Sequence, residues 1–388
     1  VNEDAQVFES DDAIRKEVER ITKGCTTDTC KFYALLHWVA QEIRYSGISM
    51  GEGEGYTLHP GTMTFRDRAG VCKDIAGMLV TMLRVAGFTT YPVMTQAGSR
   101  VERIPADQFN HCVVAVKRGD GSFLMLDPTW TPFNMELWSR AESEQHFVVG
   151  SPEGEELSQI TKFTPEENDF SFKMRTRLTE SGDLSGTVTL QGKAQADARV
   201  RRPFSDAGQD HWDEICRAWF HKADIAAELI KVTYGDLWDF GKPFAVTMEF
   251  NIPNYARQLG KRLDYQPFSS KLLWAGGYQM NLLSGLDSEN REQPILTYNP
   301  RQVTLQEVLK LPSGMSIRKL PDPLDEGSEA AWTKGGWKKT SNGMELNYVW
   351  HVRERWIPES DYADVKKATD AIKDYDKIAL VIEKGGAR

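Results

Sequence analysis

A cysteine becomes a nucleophile when its surroundings favour the thiolate and a neighbouring base takes its proton. Cys72 stands in Gly70-Val71-Cys72-Lys73-Asp74, directly before an apolar stretch carrying Ile75, Met78, Leu79, Met82 and Leu83. That spacing predicts a buried helix from Cys72 to just before Gly87. The unpaired N–H groups and positive dipole end of a helix N-terminus stabilise a thiolate. Gly70 permits a tight turn and close backbone approach just before it. The other reading of Cys72 is a small buried core cysteine, the commoner fate of a lone one.

A thiolate needs a base, and the base needs an orienting group. Of the seven histidines, His111 is the natural candidate. It opens a strand-like run at 111–117; a second run at 122–127 ends on Asp127. Between them, Arg118-Gly119-Asp120-Gly121 is a hairpin signal. Their side chains share a face only if the loop has an odd number of residues. A three-residue loop, Gly119-Asp120-Gly121, pairs Arg118 with Ser122 and sets His111 diagonal to Asp127, within cross-strand reach. Taken singly, His111 reads equally as a hydrogen-bonded strand histidine, and Asp127-Pro128 as a turn initiator. Together the three residues favour a Cys-His-Asp site for acyl transfer.

These elements sit in a chain of 388 residues, length enough for two or three domains. With 40% apolar and 27% charged residues it can build real cores and is no disordered segment. Its 47 basic and 56 acidic residues give a formal net charge of −9, and no basic block relieves it. A nucleic acid or an anionic membrane surface is therefore not the expected partner. The longest apolar run is far short of the roughly 20 residues a membrane span needs. The chain opens at Val1 without a charged-then-apolar leader. Five cysteines make no disulfide scaffold, although Cys25 and Cys30 are close enough to pair in an oxidising compartment. There is no paired Cys/His spacing for zinc and no DxDxDG calcium loop. Gly51, Gly53 and Gly55, with Tyr56 in the next glycine's place, read as a mobile loop and not as a nucleotide cradle. No metal and no cofactor is expected.

Two helices should precede the Cys72 helix. The first is capped by Ser10, carries Ile14, Val18 and Ile21 on one side, and ends at Gly24. The second spans about 27–45, with Phe32, Leu35, Leu36, Val39 and Ile43 on one face. A strand at 90–95 completes the set around the hairpin. The texture changes near Gly150-Ser151-Pro152-Glu153-Gly154, so the expected domains are 1–155 and 156–388. The second is dominated by strands, such as 170–178, 186–191, 244–250 and 344–352. It also carries one helix at 209–231, a closing helix from Ser360 and a strand at 378–382. The fold class expected is α+β, with a helix carrying Cys72 packed on an antiparallel sheet. A β-sandwich-like domain with helical insertions follows. Eight tryptophans lie beyond residue 150, from Trp212 to Trp356. Exposed on one face they would suit sugar or peptide binding; buried, they are core.

Gly70 to Asp74, Asn110-His111 and Leu126-Asp127-Pro128-Thr129 resemble the three core motifs of the transglutaminase-like superfamily, which has a papain-like fold. The order Cys, His, Asp suits it, as do the spacings from 72 to 111 and from 111 to 127. Thr131-Pro132-Phe133 and Glu136-Leu137-Trp138 extend the likeness, which covers roughly 27–150. Many relatives have Asp where Val71 stands, but Val occurs across the wider superfamily. The resemblance is nearest to bacterial proteins in which the core precedes a β-rich domain, and 358–384 looks like the end of that arrangement. Such proteins often carry a further β-rich domain upstream, so a shorter or trimmed arrangement is expected here. A bacterial periplasmic or envelope location, with a leader removed before Val1, is expected with it.

The resemblance implies that Cys72 attacks a peptide or amide carbonyl, that His111 relays the proton, and that Asp127 orients the imidazole. The Cys72 N–H is one oxyanion donor. The second is usually an upstream side chain, for which Tyr56 is the first candidate, followed by His59 and Tyr45. Asp74, two residues into the helix, reads as structural support for the loop before Cys72, and Asn110 as support beside His111. Trp130 would shield the His-Asp pair or simply fill the core. The implied partner is a peptide, protein or amide substrate. The competing reading is an inactive scaffold whose β-rich half binds peptide or carbohydrate. Oligomeric state is not legible.

Overall fold

The computed structural model describes residues 5–47, 55, 57–104, 106–129, 138, 143–276, 286, 291–297 and 299–384. The chain forms two compact units, Val1–Lys162 and Phe163–Arg388. The division falls a few residues beyond the expected 155/156, because residues up to Ile160 still pair with the first unit's sheet.

The first unit opens with α1 (Asp12–Thr22) and α2 (Asp28–Glu42). Asp11, not Ser10, caps α1, accepting the Ile14 N–H at 2.8 Å; Ser10 instead accepts from Arg15. Thr27 caps α2 in the same way, accepting from the Cys30 N–H. The second helix stops three residues short of the expected Tyr45. Its continuation, β1 (Arg44–Tyr45), pairs in parallel with β2 (Ala69–Gly70), which follows the short α3 (Gly61–Asp67). That pairing takes the backbone that a longer helix would need. Cys25 and Cys30 form a disulfide across the α1–α2 connection.

The central helix α4 (Cys72–Val85) is buried from Lys73 to Leu83. It packs on a five-stranded antiparallel sheet in the order β5-β4-β3-β6-β7. In chain order these strands are β3 (Thr90–Thr95), β4 (His111–Lys117), β5 (Phe123–Leu126), β6 (His146–Val149) and β7 (Ser158–Gln159). Val114, Val116 and Leu126 join Ile75, Met78, Leu79 and Met82 in one core with Leu35, Leu36 and Val39 of α2. Alternation along β4 sends Val114 and Val116 to this core.

The second unit is β-rich. Its strands begin with β8 (Asp169–Leu178) and β9 (Leu184–Gly192), followed by α5 (Gln195–Asp206), α6 (Trp212–Ala223), β10 (Glu228–Tyr234) and β11 (Val246–Ile252). Then come β12 (Arg257–Leu259), β13 (Arg262–Tyr265), α7 (Phe268–Ala275), β14 (Ile295–Leu296), β15 (Arg301–Lys310), β16 (Met315–Ile317) and β17 (Leu324–Gly327). It closes with β18 (Ala331–Thr340), β19 (Gly343–Val352), β20 (Trp356–Ile357), α8 (Tyr362–Asp376) and β21 (Leu380–Lys384). Eight strands form one sheet, β10-β11-β9-β8-β15-β19-β18-β17, antiparallel except for the parallel pair β8/β15. A four-stranded sheet, β12-β13-β21-β16, shares its core, which also takes Phe204, Phe220, Phe268 and Ile372 from the four helices.

The helix expected at 209–231 ends at Ala223. Asp224 turns the chain there by accepting the Ala226 N–H, and Leu229 lies in a strand. A helix at 195–206 was not expected, since Pro203 sits inside it. Of the eight tryptophans beyond 150, Trp238 alone is exposed; Trp212, Trp337 and Trp350 are buried. No row of exposed rings is present among them. Among the described residues no helix is long and apolar enough to cross a membrane.

One buried ion pair ties α5 to the loop before β11. Arg201 Nε donates to Asp197 Oδ2 at 2.7 Å, and its other nitrogens donate to the carbonyls of Leu237, Asp239 and Lys242. Asp197 Oδ1 accepts the Phe244 N–H at 2.7 Å. Removing one partner of such a pair strands a buried charge, so Asp197→Ala is expected to destabilise the protein by about 4 kcal/mol. Urea denaturation measures this as a lower midpoint at unchanged slope. A loss below about 1 kcal/mol would show that Arg201 reaches water.

Candidate active site

The entry to α4 is set by a short backbone and one carboxylate. Gly70 pairs with Tyr45 across β1/β2. A Cβ at Gly70 would lie 2.5 Å from Asp74 Cβ, so only glycine fits without a shift. Val71 is extended and makes no side-chain cap. Asp74 serves instead: its Oδ2 accepts the Val71 N–H at 2.9 Å, and its Oδ1 meets His59 Nδ1 at 2.8 Å. This lock holds Cys72 as the first residue of the helix. Lys73, buried beside it, donates to the Gly55 carbonyl at 3.2 Å.

The β4–β5 hairpin has a three-residue loop. Arg118 N–H donates to the Ser122 carbonyl at 2.8 Å, and Gly121 takes the left-handed conformation (φ +86°) that this loop requires. Val114 therefore faces Leu126, and His111 lies diagonal to Asp127. His111 Nε2 and Asp127 Oδ2 are 2.8 Å apart, with His111 8% exposed and Asp127 0%. Asp127 Oδ1 accepts the Thr129 N–H at 2.7 Å, so the same carboxylate both initiates the Asp-Pro turn and holds the histidine. Asn110, just ahead of His111, pairs its amide with the N–H and carbonyl of Ala97 and pins the preceding loop.

Cys72 is partly buried, which pushes its thiol up. A hydrogen bond and the charge of His111, with the N–H groups of Cys112 and Lys73, outweigh that burial and hold it below the ordinary thiol value. His111 thus touches Cys72 on one side and Asp127 on the other. Since Nε2 serves Asp127, Nδ1 is left for the sulfur. Cys112 and Cys216 behave oppositely: burial pushes their thiols up to about 12 and about 11. The part played by the Cys112 N–H is carried by main chain, so no residue type marks it in the sequence.

Of the two oxyanion-donor candidates among the described residues, Tyr45 is brought to Cys72. Its hydroxyl accepts the Cys72 backbone N–H, and burial plus the nearby thiolate push its pKa up. His59 is engaged with Asp74. Tyr56, Trp130 and 131–133 lie outside the described residues, as do 136–137 and most of the glycine-rich loop. Trp138 is buried. Beside Cys72 and His111 opens a cleft of about 570 Å³, walled by Leu58, Pro92, Met94, Phe109 and Val148, with Asp107 among its lining residues. Apart from Phe109, which directly precedes Asn110-His111, these wall residues belong to no motif of the sequence.

Residues 15–128 match the transglutaminase-like superfamily, so the first unit carries a transglutaminase-like core. The whole chain resembles a solved structure from Parabacteroides distasonis, described as a candidate protease. The two are 11% identical and align over 98% of this chain and 57% of that one, with a TM-score of 0.56. They share the fold, and this chain spans 57% of that protein's length. A candidate cysteine protease from Cytophaga hutchinsonii is 21% identical over 32% of this chain and 39% of its own, with a TM-score of 0.26. No curated protein matches the chain.

Proposed function

We propose that the first unit is a cysteine-dependent acyl-transfer enzyme that hydrolyses peptide or related amide bonds through a thioester. The observation that carries this reading is the continuous contact from Cys72 through His111 to the buried Asp127. An ionised Asp127 only accepts, so His111 carries its proton on Nε2 and offers Nδ1 to the thiol. His111 takes the Cys72 proton as the sulfur attacks the carbonyl carbon. The tetrahedral oxyanion is met by the Cys72 N–H and the Tyr45 hydroxyl, which lie within hydrogen-bond reach of each other. The imidazolium then protonates the departing amine. Water, deprotonated by the same ring, attacks the thioester and releases the acid.

Two arrangements would favour a scaffold that only binds: His111 turned away from Cys72, and several coplanar exposed tryptophans. Neither is found among the described residues.

The direct test mixes the protein with a panel of N-acyl peptidyl arylamides and quenches in acid. Mass spectrometry of the Cys72 peptide should show an added acyl group that disappears with hydroxylamine. Arylamine release with no acyl adduct on Cys72, for any substrate, would contradict the thioester route. Tyr45→Phe is expected to lower kcat by about 10²- to 10³-fold, the usual loss of one oxyanion donor. Alkylation of Cys72 by iodoacetamide should change far less in the same variant, since no oxyanion forms. Equal loss in both would move Tyr45 from the oxyanion to the thiolate.

A further inference from the structure

We infer that the cleft beside Cys72 is the subsite that selects the substrate, and that it takes an acyl group bearing a bulky, uncharged apolar side chain. The inference rests on the hydrolase reading and names the substrate class for the same site. It starts from the sheet face that α4 packs on. In register, Cys112 of β4 faces Met94 of β3, and Met94 faces Val148 of β6. These three side chains form one row across three strands on the face that Val114 and Val116 present to α4. The helix covers the β4 end of that face. Toward β6 the face is not closed: Met94 is 37% exposed and Val148 is half-buried.

The next row is low by construction. Pro92 has no long side chain, and Gly150 donates its N–H to the Pro92 carbonyl at 2.9 Å. A Cβ at Gly150 would sit 3.0 Å from that oxygen, so a side chain there would crowd the floor. Phe109 closes the side next to His111. The resulting space of about 570 Å³ is in the range that holds a small ligand, and Cys72 is among the residues that line it. An acyl group bonded to the Cys72 sulfur therefore has its side chain delivered onto Met94 and Val148. Lys73 and Asp107 also line the cleft, and Lys73 already donates to the Gly55 carbonyl; on the stretch formed by Pro92, Met94 and Val148 a charged side chain would lose water against apolar groups. An acyl residue without a side chain would leave the wall wet.

The experiment uses the intact protein and three N-acylated aminoacyl chloromethyl ketones carrying leucine, glycine or glutamate next to the reactive carbon. The Cys72 sulfur displaces chloride from each, forming a thioether that peptide mapping locates. The expected result is a second-order rate for the leucyl probe at least about 10-fold above both others. In Met94→Glu the leucyl-to-glycyl ratio should fall toward one. Equal rates for the three probes on the wild type would overturn the inference, as would faster reaction of the glutamyl probe. Iodoacetamide, which has no side chain to select, is run alongside. If it alkylates Cys72 rapidly below the ordinary thiol pKa while the three probes react alike, the subsite is wrong and the hydrolase reading stands. If iodoacetamide itself finds an ordinary thiol, the hydrolase reading falls first.

Discussion

Replacing His111 by alanine is expected to lower turnover of any peptidyl arylamide the protein cleaves by about 10⁴- to 10⁶-fold. The imidazole has three tasks, and alanine performs none of them. It accepts the thiol proton, protonates the leaving amine and, as a cation beside the sulfur, favours the thiolate. Without it, burial is the largest influence left on the Cys72 thiol, and burial pushes a thiol up. The sign follows. In the wild type the thiolate persists to a pH below the ordinary thiol value. In the variant it forms only near or above that value. Steady-state kinetics read the first effect, and thermal unfolding checks that the fold survives. A loss of less than about 10-fold would mean that His111 is a strand histidine and that another group moves the proton.

The second large effect belongs to Asp127→Asn, expected to reduce kcat by about 10⁴-fold while changing the shape of the site little. The substituted amide can keep the bond from the Thr129 N–H on its oxygen. Its nitrogen then stands where the Asp127 Oδ2 now meets His111 Nε2 at 2.8 Å. Two N–H donors cannot face each other, so the ring shifts its proton to Nδ1 and presents a donor to the sulfur in place of an acceptor. The imidazole remains in position but is the wrong tautomer to act as base. The check is the pre-steady-state rate of Cys72 acylation, which should fall with kcat. An unchanged acylation rate would reduce Asp127 to its turn-forming role.

What the sequence made legible here is whatever depends on local rules. The Cys72 helix follows from apolar spacing and a glycine before the turn, and the His111–Asp127 approach follows from the parity of a three-residue loop. Strands 90–95 and 111–117 have the bounds their alternation implies. Three features were not legible, and each has a long-range cause. Tyr45 read as the end of a helix because its strand partner, Gly70, lies 25 positions on, and parallel pairing leaves no local trace. Asp74 read as the support of the loop before Cys72, but not as a partner of His59, because that bond joins two segments that no spacing rule connects. The cleft wall combines residues from β3, β6 and the segment before β4, each of which reads alone as ordinary core. In the second unit, Pro203 concealed a helix, and a turn at Asp224 ended another at Ala223 before the strand that follows.

The central claim is that Cys72 and His111 form an activated pair, and the most direct measurement is the pH dependence of Cys72 alkylation. Wild type and His111→Ala are labelled with iodoacetamide across roughly pH 4 to 9, and each cysteine is followed by peptide mass spectrometry. Cys112 and Cys216, pushed up to about 12 and about 11, are internal controls in the same tubes. The account predicts selective labelling of Cys72 well below the free-thiol pKa of about 8.5, lost in His111→Ala, with the two controls unlabelled throughout. A Cys72 that reacts slowly, with an ordinary thiol profile that His111 does not alter, would contradict it.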